Sequence, residues 1–280
     1  GAILYDVLHL NMALIIAILY VAYGIFISYY KANEILTIFV IFTSLLLPYL
    51  LEYMEFSELL IIQFVVILFA AIQFVIVKHR QQIALHITTS FTHLSALALW
   101  GLSENVDMYF AIGLLLIASI YLYSWWKLYE PESKWRAIHE GLLFSYHVFA
   151  LITLLFVTND LVFDTILFLL MLVIYSITAF VAYKERLQHV VDVAATVAFL
   201  AFIFMLVTFD LSDEVLILLF GFVAFSGIML GMRLRATFMK VTYSLSFFLM
   251  TLITIAAGEV KPFFALNHLS VVMILLYLIA

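Results

Sequence analysis

Cysteine is absent from the 280 residues, which excludes disulfides, thiolate catalysis and cysteine-ligated metals. Charge is nearly as scarce: 11% of the residues are Asp, Glu, Lys or Arg, against about 25% in a soluble domain. Such a chain lacks the polar surface to face water all round. There is no Gly-rich phosphate loop, no G-x-S-x-G nucleophile turn and no basic patch of nucleic-acid type. Nucleic acid is therefore not an expected partner, and no cofactor is implied. Gly1-Ala2-Ile3-Leu4-Tyr5 has neither a basic n-region nor a small-residue cleavage site, so no secretory signal is visible. The chain starts without Met and ends inside an apolar run at Ala280. The expectation is one transmembrane domain over 1–280, a piece of a longer chain.

What is present in abundance is apolar sequence. Hydrophobic residues make up 68% of the chain and the mean hydropathy is +1.24. They fall in long continuous runs, where a membrane barrel would show short alternating segments. The runs cover roughly 8–29, 35–51, 59–77, 82–100, 108–126, 137–157, 161–183, 190–209, 215–232 and 236–257, and an eleventh begins near Leu266. That last piece is too short to span, since a span needs about 20 residues. Pro48 near the end of the second run predicts a kink or a stop there, with a hinge as the other reading. The fold expected is an all-α, polytopic transmembrane helix bundle of about ten spans built from antiparallel helical hairpins. The bilayer is its first partner, with other membrane proteins as further candidates.

The net charge of −6 hides a sorting by sign. After odd runs come Lys31; Lys78 and Arg80; Lys127, Lys134 and Arg136; Lys184 and Arg186; Arg233, Arg235 and Lys240. After even runs come Glu52, Glu55 and Glu58; Glu104 and Asp107; Asp160 and Asp164; Asp210, Asp213 and Glu214; then Glu259, beside Lys261. The positive-inside rule places the basic loops in the cytoplasm, and the location expected is the plasma (inner) membrane. The basic loops recur about every 50 residues, the length of two crossings plus tight turns. Either an old duplication or membrane thickness alone accounts for that period.

The fourth run is the most polar, with His86, Thr88, Thr89, Ser90, Thr92, His93 and Ser95. Runs four, six and eight point the same way, and each carries an ionisable residue about one turn in: His86, Glu140 and Asp192. Seven residues deeper lie His93 and His147, a step that returns to nearly the same helix face. His86, Ser90 and His93 form one ladder, Glu140 and His147 a second. Ionisable side chains at this depth face the bundle interior or a cavity and find partners. Two readings are open for the histidines: interhelical hydrogen bonding, or a substrate or proton pathway. For Glu140 and Asp192 the competing reading is the dipole at the start of their own helices. His86 with His93, and His139 with His147, do not have the spacing of a helical metal pair, so no metal site is expected. Trp100, Trp125, Trp126 and Trp135 read as an interfacial belt. Gly227 and Gly231 form a Gly-x-x-x-Gly pair that predicts close helix packing.

Leu47-Pro48-Tyr49-Leu50-Leu51, an apolar helix ending in Lys78 and Arg80, and Thr92-His93 leading to Trp100 resemble the bacterial family called domain of unknown function 2339. The resemblance covers mainly the first hundred residues. It implies a large multi-pass membrane protein with many successive helices, usually longer than this chain, and brings no catalytic residues. The leading functional expectation is a transporter- or permease-like bundle with a polar interior, its small-molecule substrate unspecified. The alternative is a non-catalytic membrane scaffold or envelope-assembly protein. An enzyme comes third, because outer loops of a few residues are too short to build a catalytic pocket.

Overall fold

A computed structural model describes residues 10–53, 57–102, 107–130, 132–157, 161–209 and 211–256. The eleventh run from Leu266, and Glu55, Glu104, Asp160, Asp210, Glu259 and Lys261, lie outside the described residues. Eleven helices occur among them: α1 (Leu10–Lys31), α2 (Glu34–Ser44), α3 (Leu46–Tyr53), α4 (Glu58–His79), α5 (Gln82–Leu102), α6 (Asp107–Leu128), α7 (Arg136–Val157), α8 (Leu161–Lys184), α9 (Gln188–Val207), α10 (Asp213–Leu234) and α11 (Thr237–Ala256). Seven stretches, counting 34–52 as one, are long and apolar enough to cross a membrane. The protein therefore has the helices of a membrane-embedded chain. α5 is as long as those seven, and its Thr, Ser and His residues are what lower its hydropathy.

The second apolar run is broken where its proline requires. α2 stops at Ser44, Leu45 forms a turn, and α3 begins at Leu46. Pro48 cannot donate to the Ser44 carbonyl four residues back and its ring crowds that carbonyl.

The basic loops are tight because four of them use one backbone device. Ala32, Arg80, Arg186 and Arg235 adopt left-handed conformations, with φ of 51°, 55°, 60° and 55°. At the three arginines the next amide reaches back to close the helix: Gln81 to Ile76, Leu187 to Ala182, and Ala236 to Gly231. This is a Schellman ending, and the following helix starts immediately after it.

The chain divides into two compact units, Gly1–Thr158 and Asn159–Ala280. In the first, packing is not strictly sequential. α4 packs on α6 more extensively than on α5, and α2 packs on α5 and α4. Gly113 of α6 lets Ile62 of α4 come close enough to occupy the space of a Cβ. In the second unit α8 and α9 form the largest interface, and α9 also meets α10 and α11. α9 carries Ala194, Ala195, Ala198 and Ala201, all buried, so its backbone approaches its neighbours closely. The Gly-x-x-x-Gly pair sits at the α10–α11 contact. A Cβ on Gly227 would lie 2.6 Å from the Tyr243 ring, and one on Gly231 3.1 Å from Lys240 Cγ.

Candidate functional site

α5, α6 and α7 of the first unit bring together the polar side chains that the apolar runs carry. His86 lies about 6 Å along α5 from its basic-loop end, and His93 about 16 Å along it, at 1.5 Å per residue. His86 Nε2 is 2.6 Å from His139 Nδ1 of α7, and His86 Nδ1 is 2.7 Å from the Tyr121 hydroxyl of α6. Deeper in, His93 Nδ1 is 3.0 Å from the Tyr146 hydroxyl, and His93 Nε2 is 3.1 Å from Thr153 Oγ1. The Tyr121 and Tyr146 rings meet edge to face, 4.8 Å between centroids. Two hydrogen-bonded segments, His139–His86–Tyr121 and Tyr146–His93–Thr153, are thus joined through a phenol–phenol contact.

The His139–His86–Tyr121 segment can carry its hydrogen bonds in either direction. If Tyr121 donates to His86 Nδ1, then His86 donates from Nε2 to His139 Nδ1. With the opposite tautomers every donor and acceptor exchanges roles. That segment therefore has the two polarities that proton hopping requires, whereas Thr153 donates to the Ala150 carbonyl, which sets His93 Nε2 as donor to Thr153 and His93 Nδ1 as acceptor from Tyr146. His147 stands beside it, with the Tyr121 ring stacked on its imidazole at 5.7 Å. Its Nδ1 lies 2.8 Å from the Leu143 carbonyl and its Nε2 3.4 Å from the Ala118 carbonyl. A neutral imidazole donates to one of these, and only an imidazolium donates to both.

Two cavities reach the basic-loop end of this chain. One of about 20 Å³ is lined by Leu85, His86, Trp125, Tyr129, Arg136 and His139. The other, about 620 Å³, is an open cleft between α5 and α7 whose walls include Glu34, Arg80, His86, Glu130, Trp135 and His139. His93 and His147 line neither, and both are fully buried.

The remaining expected site residues are placed otherwise. Ser90 is exposed, and its hydroxyl donates back to the His86 carbonyl, so it does not extend the interior ladder. Glu140 is buried at the basic-loop end, where Tyr129 donates to it at 3.2 Å and Arg136 approaches at 3.5 Å. Burial first, and the Glu140 charge second, push the Tyr129 phenol above its usual range. Asp192 belongs to the second unit. Its oxygens accept from the Phe238 and Met239 amides at 2.9 and 3.0 Å. The dipole argument holds for it, with the correction that the helix start it serves is that of α11, not its own. Glu34 does the same for α5, accepting from Ile83 and Ala84 at 2.7 and 2.8 Å. Trp125 corrects the belt reading: it is buried and donates from Nε1 to the His139 carbonyl. Among the described residues no group of three or more His, Asp or Glu is placed to hold a metal ion.

Tyr121, Tyr146, Thr153 and the pairing role of His139 were not singled out by sequence. The one signal for Tyr146 was its place beside His147 in a long apolar run. Comparison with family models, with curated proteins and with solved structures finds no match.

Proposed function

We propose that this is a multi-pass protein of the plasma (inner) membrane with about ten spans and cytoplasmic basic loops, related to domain of unknown function 2339. In this reading its first unit is transporter-like and moves protons along the His–Tyr chain. The observation that carries the proposal is the bonded run from His139, at the cleft, through His86 to Tyr121. Burying two imidazoles and two phenols costs several kcal/mol unless they are bonded. A plain aliphatic core would avoid that cost, and the chain instead continues to His93 and Thr153. The Tyr121 and Tyr146 rings touch but their hydroxyls are not hydrogen-bonded to each other, so in this reading the step between the segments crosses a bridging water.

Proteoliposomes carrying a pH-sensitive dye test this under an imposed pH gradient. Tyr121→Phe removes one hydroxyl and leaves the ring packing, and it should reduce proton flux at least tenfold with folding intact. Equal flux in the wild type and this variant contradicts the proton path.

The scaffold reading has one observation in its favour. Both ring nitrogens of His93 have hydroxyl partners, and a neutral His147 donates to one of the two backbone carbonyls beside it, bonds of the kind a purely structural network uses. A protein that moves neither protons nor solutes, yet melts at lower temperature in Tyr121→Phe, fits that reading.

A further inference from the structure

The cleft of about 620 Å³ between α5 and α7 has two unlike walls. Ile83, Ile138 and Leu142 form an apolar wall, 59%, 53% and 44% exposed, on helices that the ten-span reading places in the bilayer. The other wall is polar and lies at the basic-loop end. There Arg80 and Glu130 form an exposed ion pair at 2.5 Å. Trp135, 63% exposed, lies at the same end. We propose that this cleft seats one phospholipid with a zwitterionic headgroup. Its phosphate meets Arg80, its ammonium meets Glu130, and one acyl chain follows Ile83, Ile138 and Leu142.

Charge complementarity selects the headgroup. Three charged residues line the cleft: Glu34, Arg80 and Glu130. The Glu34 carboxylate is directed at the Ile83 and Ala84 amides, where the positive end of the α5 dipole compensates its charge, and Arg80 and Glu130 are the cation and anion that stand side by side. A purely anionic headgroup would gain Arg80 and oppose Glu130, and a purely cationic amphiphile would do the reverse. A zwitterion satisfies both. Opening the pair to admit it costs little, because an exposed ion pair is a weak interaction. The volume lies within the roughly 300–1,000 Å³ of ligand pockets. It holds a headgroup and the upper part of one chain, with the remainder in the bilayer. The open side fits such an occupant, since an acyl chain laid along Ile83, Ile138 and Leu142 continues from it into the bilayer.

The proposal rests on the membrane reading of α5 and α7 and is independent of the proton path. A chain recovered in the soluble fraction without detergent would overturn the membrane reading itself. Native mass spectrometry of the detergent-solubilised protein, incubated with equal amounts of phosphatidylethanolamine, phosphatidylcholine and phosphatidylglycerol, tests the seat. One zwitterionic lipid per chain should survive delipidation, at least fivefold over phosphatidylglycerol. Leu142→Trp, which fills the cleft, should cut that adduct about tenfold. Arg80→Gln changes an exposed side chain, so it keeps the test informative if the tryptophan variant fails to fold, and it should abolish the headgroup preference. Equal retention of all three lipids, or retention unchanged in Arg80→Gln, overturns the seat and leaves annular lipid only.

Discussion

His93 is wholly buried, and each of its ring nitrogens has a hydroxyl partner on α7. His93→Leu would leave the Tyr146 hydroxyl without this partner in an apolar setting, while Thr153 keeps its bond to the Ala150 carbonyl. A buried polar group deprived of its partner costs about 1–3 kcal/mol, so the variant should melt several degrees lower in detergent. Thr153→Val removes two bonds, to His93 and to the Ala150 carbonyl, and leaves the buried His93 Nε2 without this partner, so it should cost a comparable ~1–3 kcal/mol. At this scale the sequence carried much of the site. The depth of His86, His93, Glu140 and His147 follows from counting residues along each helix. Rotation about each helix axis does not, and that is why Ser90 was expected inside and lies exposed. Tyr121 and Tyr146 were illegible for a related reason. A tyrosine in an apolar run is ordinary packing material until its hydroxyl is seen to reach a particular nitrogen.

The helix starts after Arg80 and Arg235 are held by one device. In each case the third and fourth residues past the left-handed arginine donate their amides to a carboxylate from another helix, Glu34 or Asp192. Those amides are among the unsatisfied donors of a helix start, and a negative charge also meets the positive end of the dipole. Asp192→Ala and Glu34→Ala should each cost about 1–2 kcal/mol, seen as lower thermal midpoints. The left-handed arginines store a smaller strain, because a Cβ crowds the carbonyl there. Arg186→Gly should raise stability by up to about 1 kcal/mol, the left-handed penalty of about 1–2 kcal/mol less the extra backbone entropy that glycine loses on folding, and a lowered midpoint would contradict that geometry. Gly227 shows the opposite side of glycine chemistry. Its Cβ position is 2.6 Å from the Tyr243 ring, so Gly227→Leu must separate α10 from α11. Gly231→Leu meets the Lys240 side chain and backbone at 3.1 and 3.2 Å and should be the milder of the two. The sequence announced this contact, since a small-residue pair on a helix reports close approach wherever the partner helix lies. It could not announce the partner of Asp192, which lies 46 residues on.

For the whole molecule, alternating loop charge and apolar run length made the helices legible, because membrane thickness and charge sorting act on segments one at a time. The assembly was less legible. Contacts such as α4 with α6 and α2 with α5 depend on which faces match, and short loops do not determine that. Orientation is open to direct labelling, which the absence of cysteine makes clean. Single-cysteine variants at Lys134 and Arg186 should react only from the cytoplasmic side, and one at Ser57 only from outside. Reaction of the Lys134 position from outside would reverse the orientation.

The chain from the cleft into the membrane is most directly tested by nitrogen-15 NMR of histidine-labelled protein in lipid. A bonded pair predicts one protonated and one unprotonated nitrogen for His86 Nε2 and His139 Nδ1, joined by a coupling through the hydrogen bond that His139→Gln abolishes. Tyr121→Phe should then move the His86 Nδ1 resonance. Absence of the coupling, together with a His86 spectrum indifferent to the Tyr121 hydroxyl, would contradict the chain and remove the proton path with it.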